Sequence, residues 1–444
     1  MPSDDFGRQD RTTAGQVKAD NDALQFEMTA SLPPQLFWVL IFVTNFGTML
    51  LVFWNSYKQF EESAVSFVTE TTYLTWNTTF PAISVCPIAG AEPEWFVDEE
   101  IDVQKQFISD VVYFTGNCYS CYEECESCKH MNFTQKVLRY RKDCTRLISS
   151  CRWKDANFSC CDHFLPVETE YGICYSFNSM HTSKNGKSQL DLTMNRKTGP
   201  GEIWLQAKED VRVYFHALED VPFINSDPDQ RRDVMLGESV NITISVIEID
   251  NDENVKNVPV YKRGCKFPWE NEHINVHKYY SYSTCVVQCH AENHVKLCNC
   301  THHLMPFYNK ITKYCDVDGL KCLTDNFEIV NRLHAKGTSL RKPGLVCDCL
   351  PSCVEPEYKV VSITKGLKSE QSEILINIIG LPSTRFKRIV LRTTLDLVVS
   401  IGGAAGLFIG ASLLSIVEIL YLLCFGEPKK SREKKLILKV RNVE

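Results

Sequence analysis

Twenty of the chain's 21 cysteines lie between Cys86 and Cys353, and an apolar run stands on each side of that interval. An even number of cysteines suits a disulfide framework, which persists only in an oxidising compartment. Between the two flanking apolar runs lie all five N-glycosylation sequons, Asn77 just before Cys86 and Asn132, Asn157, Asn241 and Asn299 within the cysteine interval. Such sites are used only in the secretory lumen or outside the cell. The flanking runs are LFWVLIFVTNFGTMLLVFW from Leu36 and LDLVVSIGGAAGLFIGASLLSIVEILYLLCF from Leu395. Each is long enough to cross a bilayer, for which about 20 apolar residues suffice. The chain therefore reads as an integral membrane protein, two transmembrane helices flanking a large disulfide-rich extracellular domain.

Charge orients it. Seven Lys and Arg against three Glu follow Phe425, which marks that tail as cytoplasmic. Two crossings then put both termini inside the cell and the middle outside, at the plasma membrane. The expected boundaries are a cytoplasmic segment 1–35, a first span 36–57, an extracellular domain 58–394, a second span 395–425 and a basic tail 426–444. Residues 1–35 are too long and too acidic for the head of a cleavable signal peptide. A net charge of -7 argues against nucleic acid as a partner. Neither a Gly-x-Ser-x-Gly nor a His-Glu-x-x-His motif is present, and the eleven histidines read as scattered, without ligand spacing. No enzyme, metal or cofactor is expected.

The second span is not built as an inert anchor. Ser400, Gly402, Gly403, Ala404, Ala405, Gly406, Gly410, Ala411 and Ser412 crowd it with small residues. Each glycine costs a helix roughly 1 kcal/mol relative to alanine. Small residues permit close backbone approach, and irregular backbone survives at membrane depth only when packed in protein or lining a watery cavity. Ser400, Gly403, Leu407 and Gly410 fall on one helical face. A tight packing face and a pore wall are both compatible with that pattern.

The string Gly402-Gly403-Ala404-Ala405-Gly406-Leu407-Phe408-Ile409-Gly410-Ala411-Ser412, followed by Leu414-Ser415 and Glu418, resembles the second membrane segment of the epithelial sodium channel/degenerin family. That family includes the acid-sensing channels and the insect pickpocket proteins. Phe80-Pro81-Ala82 leading to Cys86, and Tyr280-Ser281 before Cys285 and Cys289, also resemble its signatures. Cys151-Arg152-Trp153, Cys160-Cys161, Tyr171-Gly172-Ile173-Cys174 and His216-Ala217-Leu218-Glu219-Asp220-Val221-Pro222 are similar to the pickpocket branch in particular.

The resemblance implies an α+β exterior with a β-sheet core and helical thumb and finger regions. It implies a homo- or hetero-trimer with related subunits, a sodium-selective, amiloride-sensitive cation channel, and an extracellular ligand of unknown nature. Gly410, Ala411 and Ser412 would form the selectivity filter. Ser400, Gly403 and Leu407 would line the pore, Gly406 would sit at the amiloride site, and Val399 would occupy the degenerin gating position. Permeant Na+ is the only ion implied. A non-conducting membrane-anchored receptor or modulatory subunit is the alternative, and an ATP-gated channel a third, though lysine clusters for phosphate are not seen.

Short β-type runs, VRVYFHA, NITISVIEI and EILINII, read as strands. Cys285 and Cys289 share a face if helical, and Cys347 and Cys349 share a face if extended. The two spacings match, ~6 Å and ~6.6 Å, but spacing leaves the pairing open. The resemblance implies Cys289–Cys347, Cys285–Cys349, Cys265–Cys353, Cys298–Cys322, Cys300–Cys315 and Cys86–Cys174. It pairs Cys151 with Cys160 or Cys161. Cys118, Cys121, Cys125, Cys128 and Cys144 remain unassigned, with disulfides favoured over a zinc site. The basic residues Arg385, Lys387, Arg388 and Arg392 are expected to face lipid head groups or to pair with acids such as Asp396. The family's His-Gly pair before the first span has no counterpart, since no histidine precedes His130. That leaves a truncated amino terminus or a divergent subunit.

Overall fold

The computed structural model describes residues 34–62, 64–89, 102–182, 190–272, 276–306, 313–334, 342–367, 370–410 and 412–425. Nearly all of the expected cytoplasmic segment, all of the basic tail, and Ala411 lie outside the described residues. Internal contacts divide the chain into two units, residues 59–394 and the terminal segments up to 58 and from 395.

The larger unit is built on two sheets. Its eight-stranded sheet runs in the order β1 (Val65–Glu70), β15 (Arg385–Val390), β12 (Glu238–Asn251), β14 (Ser372–Ile378), β9 (Glu202–Ala207), β4 (Ile148–Trp153) and β5 (Ala156–Phe158). Strand β13 (Glu357–Leu367) also pairs with β12, along Glu238 to Ile247. The five-stranded sheet runs β11 (Arg231–Val234), β10 (Val211–His216), β3 (Ala82–Pro87), β7 (Gly172–Phe177) and β6 (Leu165–Thr169). A short ladder joins β2 (Thr78–Thr79) to β8 (Thr193–Met194). Pairing is antiparallel except where β12 runs parallel to β14 and β15.

The strands form where the sequence alternates. Along β12, Val240, Ile242, Ile244 and Val246 are buried while Asn241, Thr243 and Ser245 are half-exposed. Ile374, Ile376 and Ile378 do the same on β14. These residues pack against Ile83, Val85, Val213 and Phe215 of the other sheet, so the main core lies between the two. Truncating one such isoleucine to alanine costs about 2–5 kcal/mol.

A second core gathers under helices Asp102–Val112, Phe133–Tyr140 and Val317–Asp325, around Phe107, Phe133, Leu320 and four of the cystines. Asn132 caps the second of these helices by accepting the Gln135 amide at 3.1 Å. Helix Tyr282–Cys298 opens on a capping box between Ser281 and Thr284 and closes on Asn299 in the left-handed region, at φ 56°.

Ten disulfides staple this unit. Cys285–Cys349 and Cys289–Cys347 tie helix Tyr282–Cys298 to the segment beyond Leu345, with Cys265–Cys353, Cys298–Cys322, Cys300–Cys315 and Cys86–Cys174 elsewhere. The unassigned cysteines pair as Cys118–Cys121, Cys125–Cys128 and Cys144–Cys161, which leaves Cys151 to Cys160.

One expectation is corrected. Cys347 and Cys349 do not sit on a strand, because residues 346–350 pair with no neighbouring ladder and Pro351 offers no amide. Of the two expectations for the basic residues after Leu381, pairing with acids holds for Arg385 and Lys387. Arg385 Nε lies 2.8 Å from Glu70 and Nη2 3.3 Å from Asp250, and Lys387 lies 3.2 Å from Glu70. Arg388 is buried, donating to Asn251 Oδ1 at 3.0 Å and the Cys353 carbonyl at 3.2 Å, and Arg392 donates to Gln59. The hydrogen bond from Arg385, followed by Lys387, holds the Glu70 carboxyl below its ordinary range. Strand pairing of β15 with β1 and β12 puts these acids within reach, which charge counting along the chain could not reveal.

In the terminal unit, helix Pro34–Glu62 is apolar over a stretch long enough to span a bilayer. The second apolar run forms two helices, Thr394–Ile409 and Leu413–Phe425, bent by 78° at the break between them.

Candidate functional site

The break is built by two residues with different jobs. Gly410 adopts φ +66°, a conformation costing other L-residues roughly 1–2 kcal/mol. Its amide closes the last turn onto the Gly406 carbonyl at 3.1 Å. Glycine in this conformation just past a helix is the usual stop signal. Two residues on, Ser412 Oγ accepts the Ser415 amide at 3.1 Å and lies 3.0 Å from Ser415 Oγ. That is an N-cap for the second helix. A helix stopped at Ile409 leaves its last carbonyls without intrahelical amides, and in an apolar span such groups need another partner.

The other implied pore residues lie on the first half-helix. Gly403, Gly406 and Leu407 are exposed and Ser400 is half-buried, while Ala404 is buried. Val399, expected at the degenerin position, is 64% exposed. A Cβ at Gly402, Gly403 or Gly410 would meet nothing within 4 Å. Packing within this chain therefore does not demand glycine at Gly402 or Gly403. Asp396 lies in the first turn, where a carboxylate suits the helix dipole.

The sequons sit unequally. Asn77, Asn132, Asn157 and Asn299 are exposed. Asn241 is half-buried in β12 between β13 and β14, and its Oδ1 has no hydrogen-bond partner among the described residues.

Sequence reading missed two buried polar clusters in the larger unit. His290, His294, His302 and His303 are all buried. The rings of His294 and His302 are 5.3 Å apart, and His303 packs on Phe133 at 5.2 Å. The four-residue spacing of His290 and His294 on one helix was the available signal. Burial alone would raise the Glu170 carboxyl, but the charge and hydrogen bond of His290, with the Ile224 amide, hold it below its ordinary value. Among the described residues, no group of three His, Cys, Asp or Glu side chains is arranged to hold a metal ion.

The second cluster lies in the segment His216–Val221. Burial, then the neighbouring Asp220, pushes Glu219 up to about 8, while Ser352 donates to it at 3.3 Å. Burial and Asp220 likewise push Glu355 up to about 7.

One apolar helix long enough to cross a membrane and a cystine-stapled α+β domain suit a membrane protein. Residues 23–422 match the amiloride-sensitive sodium channel family, and the chain belongs to it. The family consists of ion channels, not enzymes. The sodium channel protein Nach of Drosophila virilis is 26% identical over 317 residues, covering 66% of this chain and 79% of that one. Pickpocket protein 11 of Drosophila melanogaster is 23% identical over 302 residues, 62% of this chain and 54% of its own. Acid-sensing ion channel 2 of Rattus norvegicus is 23% identical over 438 residues, 87% of this chain and 80% of that one.

Proposed function

We propose that the chain is a subunit of a trimeric, amiloride-sensitive, sodium-selective channel of the plasma membrane, gated through its extracellular domain. The observation that carries this reading is the helix break at Gly410 and Ser412. Carbonyls freed there, repeated around a pore axis by several subunits, can replace part of an ion's water shell. Gly410, Ala411 and Ser412 make that ring, with Ala411 keeping it narrow. Ser400, Gly403 and Leu407 line the wall above it and Gly406 contributes to the amiloride site. The open space around Gly402 and Gly403 supports close approach of neighbouring subunits.

Both termini are cytoplasmic in this reading, and residues 58–394 face outward with glycans on their exposed sequons. The disulfide ladder stiffens the path from the outer surface to the membrane. Voltage-clamp recording from cells expressing the chain, alone and with related subunits, tests the proposal. Inward current carried by sodium and blocked by amiloride is expected. A chain that reaches the surface yet passes no current in any combination would contradict it.

A further inference from the structure

Helix Thr394–Ile409 carries three unlike faces. At about 100° per residue, Leu397, Ile401, Ala404, Ala405 and Phe408 share one arc. These are buried or half-buried in the chain's own packing. Leu395, Val398, Val399, Gly402, Gly406 and Ile409 make a second arc, exposed and without a polar side chain. Asp396, Ser400, Gly403 and Leu407 make the third, at spacings of four, three and four, and Gly410 continues the row three residues on. Their directions differ by about 80° at most. Ser400 is half-buried, Asp396 and Gly403 are exposed, and Leu407 is 80% exposed.

Asp396 is the one charged residue of this helix. A carboxylate in lipid is costly, so an ionisable residue on a membrane helix faces protein or water. The second arc suits lipid, and the row that holds Asp396 does not. The helix dipole favours a carboxylate at any first-turn position, so it does not explain the alignment of Asp396 with Ser400, Gly403 and Leu407. Arg392, one turn earlier in sequence, donates to Gln59 at 2.6 Å.

We propose that Asp396 is a specificity-determining residue of the conduction path. Its carboxylate, repeated by each subunit, stands at the outer mouth on the same wall as Ser400, Gly403 and Leu407, and concentrates cations there. This role rests on the trimeric pore proposed for the chain and adds a charge that Gly410, Ala411 and Ser412 do not supply. Rings of carboxylates favour cations in channel pores, and a cleft lined by one sign of charge raises the local concentration of counter-ions.

Single-channel conductance against external sodium concentration separates this role from a structural one. Asp396→Asn should raise the half-saturating sodium concentration on the order of fivefold, the scale for several like charges within a Debye length. Conductance at saturating sodium should stay near wild type, and Asp396→Glu should restore wild-type behaviour. Unchanged half-saturation in Asp396→Asn would overturn the inference while leaving the pore reading intact. So would a loss of saturating conductance alone.

A second measurement needs no current. Twenty cysteines are paired, so in a Cys424→Ser background Asp396→Cys supplies a single free thiol. Mild copper-phenanthroline oxidation of the detergent-solubilised full chain should join two subunits through this position. Val398→Cys, about 200° round the helix, should not join them. A trimer that fails to cross-link through Asp396→Cys would overturn the inference alone. A folded chain that elutes as a monomer would overturn the trimeric reading, and the role of Asp396 with it.

Discussion

The hydroxyl of Ser412 accepts the backbone amide of Ser415, 3.1 Å away, so this side chain starts a helix before it does anything else. Losing such a cap costs about 1 kcal/mol, roughly a fivefold change in the fraction of broken helix. Ser412→Ala should therefore lower current several-fold at equal surface expression. Ser412→Thr, which keeps the cap, should retain current. Equal current in both variants would remove the cap from the account.

Cys285 and Cys289 stand one helical turn apart, and their partners Cys349 and Cys347 run the opposite way. The Cys289–Cys347 pair closes 58 residues, a loop whose constraint is worth about 2–4 kcal/mol. Replacing Cys289 should destabilise the protein about as much as replacing Cys347, and replacing both should be no worse than either. Thermal unfolding of the three variants measures this. Mass mapping that links Cys289 to any other cysteine would end it.

What the sequence revealed was local. Short runs of β-type residues revealed β12 and β14, and small residues marked the second apolar run as more than an anchor. What it hid depends on distant neighbours. Cys151 faced two adjacent candidates, and only the fold separates them by presenting Cys161 to Cys144. Arg388 looks like a surface charge in its basic run. It is buried because Asn251 and the Cys353 carbonyl, 137 and 35 residues away, converge on it. The division of labour between Gly410 and Ser412 was likewise not readable. A Gly-x-Ser motif states neither a backbone angle nor which group a hydroxyl serves.

Glu219 gives stability a pH dependence of unusual sign. Its carboxyl, pushed up to about 8 by burial and by Asp220, is protonated more readily folded than unfolded. Its contribution is full below the ordinary carboxylate range and is lost as pH rises through about 8. Buried histidines oppose this at lower pH. His294 and His303 are both held down to about 4 by burial, so their contribution is lost as pH falls below the ordinary histidine value. Lowering pH from 8 to 7 should then bring about 1 kcal/mol of stability from Glu219 alone. Glu219→Gln should flatten that rise, followed as melting temperature against pH. An unchanged slope in the variant would assign the effect elsewhere.

Val399 adds two methyl groups over alanine at a level where the second spans would meet in a closed trimer. Overpacking a tight contact costs roughly 1–3 kcal/mol, which moves a closed–open equilibrium about 5- to 150-fold toward open. The subunit is thus expected to leak at rest, or to close only beside partners with a smaller residue. Val399→Ala should reduce resting sodium current. Current unchanged in cells where the protein demonstrably reaches the surface would rule the idea out.

The central claim is that the break at Gly410 and Ser412 selects sodium. Reversal potentials recorded first in external sodium and then in external potassium test it most directly. The wild-type chain, expressed in whichever subunit combination conducts, should reverse at a more positive potential in sodium. Gly410→Ala strains the left-handed turn, and Ser412→Cys enlarges the ring and removes the cap. Each should shrink the difference between the two potentials toward zero. A difference that stays the same in both variants would place the filter elsewhere.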